Sequence, residues 1–245
     1  MNSKILKCIE ENLQETFNMD KYQYVKHKIK TDARFDDLPW TPARKKKFIQ
    51  KLESTFGVPV ELEGTIGDLV ERTDIRYLNC FFGEVWKPRT EQYQWTGYRI
   101  AEEICRANPK KVLDVGCGYN LFKGRIPNLV GIDPYNNCAD FMVDILDYRV
   151  EPNLHDHIIA LGSINFNSRE DIELRFAATV NLLAPGGRLW MRVNPGHDHK
   201  NGPWVEIFPW SFEIAYEFAK KFNLTLETLK QDQDRLFFLF SKPSL

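Results

Sequence analysis

The chain has 245 residues, 43% hydrophobic and 27% charged, with a formal net charge of −1. That length suits one large domain or a core domain with an appendage, and the near-zero charge excludes a global pull toward nucleic acid or anionic lipid. Five cysteines, at positions 8, 80, 105, 117 and 138, form no C-x-x-C pair, so they read as reduced thiols in a cytoplasmic setting rather than as a disulfide frame or zinc site. Met1 to Glu11 carries charges throughout and lacks a signal-peptide core. No stretch approaches the roughly 20 apolar residues that span a bilayer, so no membrane contact is expected.

Residues 1–82 read as a small all-α domain. Ile5, Leu6, Ile9, Leu13 and Phe17 recur at helical spacing. Thr41 followed by Pro42 is a helix start, a capping hydroxyl before a proline at the first helical position. Phe48, Ile49, Leu52 and Phe56 form the apolar stripe that follows, and Gly57 with Pro59 stops it. Thr65 with Asp68 is a capping box for a short third helix carrying Ile66, Leu69 and Val70. Arg44-Lys45-Lys46-Lys47 with Lys51, joined by Lys26, His27, Lys28 and Lys30, is the strongest charge cluster. Such a run is usually a solvated face, although a basic helix face also binds phosphates. Residues 83–90, holding Trp86, Lys87 and Pro88, are the expected linker, and residues 91–245 a second domain.

The second domain alternates strands and helices. A helix from roughly Glu91 to Arg106 leads to a strand at Val112-Leu113-Asp114-Val115, which breaks into the turn Gly116-Cys117-Gly118-Tyr119-Asn120. Leu129-Val130-Gly131-Ile132 is a second strand, closed by Asp133. Phe141-Met142-Val143 is a short third, ending at Asp144-Ile145, and His157–Leu161 a fourth, closed by Gly162-Ser163. Ser168 and Asp171 box the start of a helix with Ile172, Phe176, Val180 and Leu183 on one face. Pro185-Gly186-Gly187 ends that helix and leads into a fifth strand, Arg188–Val193. Ser211 opens a last helix to Phe222, and strands near Leu224–Leu229 and Arg235–Phe240 close as a hairpin.

Two apolar runs, each ending in an acid, with a glycine-rich turn after the first, lay out a nucleotide-cradling βαβ unit. The glycines let backbone approach a ligand, and the second acid accepts hydrogen bonds from ribose hydroxyls. At Asp114, Gly116, Gly118 and Asp133 the chain resembles the class I S-adenosylmethionine-dependent methyltransferases, whose first motif reads D-x-G-x-G-x-G. Asn120 replaces the third glycine. Asn tolerates a left-handed backbone, so the departure bears on cofactor affinity rather than on the turn. The dehydrogenase pattern G-x-G-x-x-G fails at Leu121. The resemblance implies an α/β fold with a Rossmann-like sheet, mostly parallel with its last strand antiparallel.

It also implies a cofactor site for S-adenosylmethionine. Asp114, Gly116, Cys117, Gly118 and Asn120 belong to the first loop, which holds the methionine part. Asp133 takes the ribose, and Pro134 with Tyr135 offers an apolar edge to the adenine. Asp144 accepts from the adenine amino group, with Asp147 as its competitor, and Ile145 packs on the ring. Gly162 opens the loop after the fourth strand. In that loop Ser163 and Asn165 are candidates for orienting a substrate, equally readable as turn residues. No (D/N)-P-P-(Y/F) sequence marks an exocyclic-amine DNA enzyme there. His197 and His199, after the fifth strand, are candidate general bases. Their H-x-H spacing hints at metal, but no further ligand pattern supports a site. From Phe35-Asp36-Asp37-Leu38 through Phe48–Phe56 the N-terminal part is similar to an acyl-carrier bundle. No serine stands near Pro42, so carrier chemistry is expected to be absent.

The leading reading is a methyltransferase acting on an unidentified small or macromolecular acceptor. A binding or structural protein keeping the fold without turnover stays open, as does a nucleic-acid methyltransferase recruited by the basic helix, which is not favoured. The helical part also leaves room for a protein contact. Acceptor pockets in this fold are built from loops of no fixed sequence.

Overall fold

The computed structural model describes residues 1–17, 30–88 and 97–244. Two compact units emerge, Met1–Val85 with Lys200–Glu206, and Trp86–His199 with Ile207–Leu245.

The first unit holds helices α1 (Ser3–Phe17), α2 (Pro42–Phe56) and α3 (Ile66–Cys80), with a 3₁₀ turn at Phe35–Asp37. Its starts are the predicted ones. The Thr41 hydroxyl accepts from the Arg44 N–H with Pro42 in the first turn, and Gly57 closes α2 at φ +70°. Thr65 and Asp68 form a reciprocal capping box. The helix they open is not short, since its 15 residues equal α2 in length. Beyond Val70, Thr73, Tyr77 and Leu78 keep the buried face going. A π-helical turn, Phe81–Val85, follows, so the expected linker is still helical at positions 83–85, and positions 89 and 90 lie outside the described residues. Of the basic cluster, Lys26, His27 and Lys28 also lie outside, Lys51 pairs with Glu15, and Arg44, Lys46 and Lys47 are exposed.

The core of this unit is Ile5, Ile9, Leu13, Phe17, Phe48, Leu52, Phe56, Leu69 and Val70, and a distant stretch of chain completes it. Trp204 meets Phe56 edge-on at 4.9 Å, and its Nε1 donates to Thr55 O at 3.2 Å. Asn2 Nδ2 donates to Trp204 O at 2.8 Å, while Asn2 Oδ1 accepts from the Lys4 and Ile5 N–H groups and caps α1. Ser3 N donates to Glu206 Oε2 at 3.0 Å. Position 202 must be glycine, because a Cβ there would stand 2.9 Å from the Phe81 ring. Residues 200–206 were expected to be a loop of the second domain; nothing in the periodicity of the first 82 residues signals their place here.

The second unit begins its described helices with α4 (Gly97–Arg106); the expected start near Glu91 lies outside the described residues. Strands β1 (Val112–Val115), β2 (Leu129–Ile132), β3 (His155–Leu161), β4 (Leu183–Val193), β5 (Thr225–Asp232) and β6 (Arg235–Ser241) form one sheet in the order β2-β1-β3-β4-β6-β5. The first four run parallel, and β6 lies antiparallel between β4 and β5. Helix α5 (Arg169–Leu182) starts at the predicted Ser168–Asp171 box, and α6 (Phe212–Lys221) at Ser211. Alternate residues feed two faces, as the strand pleat dictates. Leu113, Ile158, Ala160, Leu189, Met191, Phe238 and Phe240 pack with α5 and α6. Val112, Ile159, Trp190, Phe237 and Leu239 pack with Ile100 and Ile104 of α4.

Two strand predictions need correction. Phe141-Met142-Val143 forms no strand; it makes one bridge, Phe141 with Ile132, and Phe141 and Met142 are exposed. Three β-prone residues with no second apolar partner face had too little surface to bury. Pro185-Gly186-Gly187 does not end the helix, which stops at Leu182. It is a bulge inside β4, where Leu183 pairs with His155 and Arg188 with His157. Among the described residues no helix is long and apolar enough to cross a membrane.

If residues 200–206 complete the helical core, Trp204→Ala destabilises that unit by about 2–3 kcal/mol, somewhat below a fully buried tryptophan. Urea unfolding followed by circular dichroism reads the loss, and an unchanged helical transition contradicts it.

Candidate functional site

The chain leaves β1 for β2 on one side and returns to β3 on the other. That reversal opens a crevice at the carboxyl ends of β1 and β3, the ligand position in open α/β sheets. Its floor is the turn after β1. Gly116 and Gly118 have φ of +66° and +53°, and Asn120 follows at +54°, so Asn120 holds the left-handed backbone expected of it. A Cβ at Gly116 would stand 2.3 Å from Ser163 Cβ. The exits of β1 and β3 therefore touch because position 116 has no side chain.

Asp133 ties this turn to β2. Its Oδ2 accepts from the Gly118 N–H at 2.9 Å, and its Oδ1 accepts from Tyr135 N and Asn136 N at 2.8 and 2.9 Å. The ribose-acceptor residue thus also organises two loops. Gly116 N and Cys117 N both donate to Ile132 O, at 2.8 and 3.0 Å. Asn120 Nδ2 donates to Cys138 O at 3.1 Å, and a Cβ at Gly131 would meet Asn120 Oδ1 and Cys117 Sγ at 2.6 and 2.8 Å. The side chains of Asn120 and Cys117 are therefore committed to packing on β2.

Asp114 differs from its neighbours. The residue is 4% exposed, and among the described residues its carboxylate has no hydrogen-bond partner. Burial, and then the charge of Asp133, push its pKa up to about 7. Burial and the charges of Asp114, Asp133 and Asp140 likewise push the Cys117 thiol far up. The cradle holds two close acids, one of which makes no hydrogen bond to a described residue, and suits a cationic or hydrogen-bond-donating ligand. Beside it, Ser163 Oγ is buried without a partner, and Gly162, at φ +96°, faces open space.

The remaining candidates are held elsewhere. Asp144 Oδ1 accepts from Leu146 N at 2.9 Å, and Oδ2 pairs with Arg175 at 3.3 Å. Its rival Asp147 has a side chain 73% exposed. Ile145 is buried in the sheet core beside Val115 and Ile132, so the expected packing on a ligand ring competes with a core role. Pro134 is half-buried. Asn165 is a bridge between strand exits, its Oδ1 accepting from Asn194 N at 2.9 Å and its carbonyl from Phe208 N at 2.9 Å. Asn194 in turn accepts from the His197 N–H at 2.7 Å. The His197 side chain is exposed, whereas burial and then Arg235 hold the half-buried His199 below the ordinary histidine pKa, neutral at pH 7. Among the described residues no group of three or more His, Cys, Asp or Glu stands close enough to hold a metal.

Trp86, expected only as part of a linker, lies at this site. Its ring lies on the glycine turn, with Cζ3 3.2 Å from where a Cβ of Gly118 would be, and stacks with Tyr119 at 6.3 Å. Lys87 Nζ donates to the Tyr119 hydroxyl at 2.6 Å. Only an aromatic beside Lys-Pro signalled this.

Gly116→Ala combines a left-handed backbone with a collision, and is expected to lower stability by about 2–4 kcal/mol. Adding Ser163→Gly removes the collision and recovers part of it. Equal losses in the single and double variants, by chemical denaturation, contradict the contact. Asp114 also makes a signed pH prediction. Its folded pKa lies above the ordinary 3.8, so the neutral carboxyl costs nothing below about pH 4, and the fold loses stability as pH rises through 7. Asp114→Asn removes that loss, so the variant melts higher than the wild type at pH 8 and not at pH 4. A higher melting point of wild type at pH 8 contradicts the unpaired buried charge.

No protein-family model matches the chain, and no curated relative matches it. Solved structures do. The Burkholderia thailandensis 1,6-didemethyltoxoflavin-N1-methyltransferase, with 1,6-didemethyltoxoflavin and S-adenosylhomocysteine bound, aligns with TM-score 0.53 at 13% identity, over 73% of this chain and 90% of that one. The PH0226 protein of Pyrococcus horikoshii OT3 aligns at 0.52 and 15%, over 67% and 96%. A Haloferax volcanii methyltransferase complexed with its Trm112 activator aligns at 0.51 and 15%, over 64% and 92%. At such identities the likeness is one of fold. The chain has the Rossmann-like fold of class I methyltransferases, with a mostly parallel sheet ending in antiparallel strands.

Proposed function

We propose that the second unit binds S-adenosylmethionine in the crevice at the ends of β1, β2 and β3 and transfers its methyl group to an acceptor. The observation that supports this reading is the pairing of a left-handed glycine turn with a buried carboxyl, Asp114, that makes no hydrogen bond to a described residue, on a methyltransferase-type sheet. The residues fit the group. An ammonium beside Asp114 would ionise it and satisfy it. Gly116 and Gly118 bring main chain rather than side chains to the ligand. Asp133 has spent three lone-pair positions on backbone N–H groups, and a carboxylate offers about four, which leaves room for one ribose hydroxyl. Ser163 Oγ supplies a further donor or acceptor at the same floor.

The cofactor, when bound, supplies a methyl group on a positively charged sulfur. The chain's part is positioning, which gives much of the rate of such a transfer. A neutral imidazole at His199 is in the protonation state needed to take a proton from an acceptor. The Asn165–Asn194 bond fixes the approach of the β4 loop that carries it. Ser163 is the stronger candidate for touching the acceptor, because Asn165 already uses its Oδ1 and carbonyl to hold the loops.

Calorimetric titration with S-adenosylhomocysteine tests the reading. Wild type binds. Asp133→Ala and Asp114→Asn each weaken binding at least tenfold, as the loss of a charge-assisted hydrogen bond worth roughly 1.5–3 kcal/mol requires. Unchanged affinity in both variants sinks the assignment.

A further inference from the structure

Resting on the cofactor reading above, we propose that Trp86 is a ligand-contacting residue of the cofactor crevice, an aromatic wall laid on the Gly118–Tyr119 turn. Three observations carry it. The indole covers Gly118, where the ring occupies space that any side chain would take, since a Cβ would stand 3.2 and 3.6 Å from Cζ3 and Cη2. The ring is anchored rather than loose. It stacks with Tyr119 at an interplanar angle of 27°, and Lys87 both donates to the Tyr119 hydroxyl at 2.6 Å and lies 5.3 Å from its ring centre. Trp86 nevertheless stays half-exposed, while Gly118 beneath it is buried.

The Trp86 ring borders the left-handed glycine turn after β1, beside the anionic cradle of Asp114 and Asp133. An aromatic face next to that cradle suits two features of the proposed cofactor. One is a flat π system, which stacks. The other is a cationic sulfur, which an aromatic face attracts.

The test is a titration of the full chain with S-adenosylmethionine and, separately, with its neutral thioether product S-adenosylhomocysteine. Wild type, Trp86→Phe and Trp86→Ala are followed by calorimetry and by tryptophan emission. The chain has six tryptophans, so the difference between wild type and Trp86→Phe isolates this one. Trp86→Ala is expected to bind roughly three- to tenfold more weakly. Trp86→Phe, which keeps a ring, retains most of the affinity but loses the ligand-induced emission change. Equal losses for both ligands place the ring on a part they share, and a larger loss for S-adenosylmethionine places it on the charged sulfur. Undiminished affinity in Trp86→Ala, or an emission change that persists in Trp86→Phe, overturns the proposal. If Trp86→Ala does not fold, the emission comparison with Trp86→Phe still decides. Binding of neither ligand by wild type overturns the cofactor reading, and this inference falls with it.

Discussion

The bonds from Gly118, Tyr135 and Asn136 N–H groups to the Asp133 carboxylate hold the second unit's crevice in shape. The Gly118 bond joins the turn after β1 to the turn after β2, alongside the Asn120–Cys138 bond, and the other two shape the turn after β2. With them, the left-handed backbone at Gly116 and Gly118 is fixed against β2, and the touching of Gly116 and Ser163 brings in β3. A charge-assisted bond is roughly twice as strong as a neutral one, and three of them converge on one carboxylate. The acid that the sequence motif assigns to ligand binding is therefore first a fastening for the floor on which a ligand would lie.

Asp114 is the counterpart. The fold leaves it buried beside Asp133 with no hydrogen bond to a described residue, an arrangement that costs stability at neutral pH. Such a cost persists where a bound group offsets it. The two acids thus differ in their partners: Asp133 takes three backbone N–H groups, while Asp114 makes no hydrogen bond to a described residue. The same acids act on Cys117, whose thiol sits among three acids and is kept protonated, an inert packing group against Gly131 rather than a nucleophile.

Much of this was legible in the residues. Local rules carry their own signatures, so Thr41-Pro42, Thr65 with Asp68, Ser168 with Asp171, and Ser211 all cap where their chemistry says. The glycine turn and the acids at the ends of β1 and β2 follow from spacing alone. What failed was non-local. Phe141–Val143 has β-prone residues and no partner strand on its far side. Trp204 completes a helical core about 120 positions or more from that core's helices, because Asn2, Thr55 and Phe56 receive it. Trp86 looked like linker because its partner, Gly118, lies 32 positions on and announces itself only by lacking a side chain. Asp144 and Ile145 stand at the expected place in the chain, but Arg175 and the sheet core already engage them. Strand-end position is visible in sequence, and competition for a side chain is not.

Asp114 is a buried carboxyl whose ionisation a nearby positive charge would favour. Calorimetry of S-adenosylhomocysteine binding at pH 7, in two buffers of different ionisation enthalpy, counts the protons released. With a pKa of about 7 before binding and an ionised carboxylate afterwards, Asp114 should release roughly half a proton per ligand, and Asp114→Asn should not. Tight binding with no proton released by wild type, or no binding at all, would contradict the account.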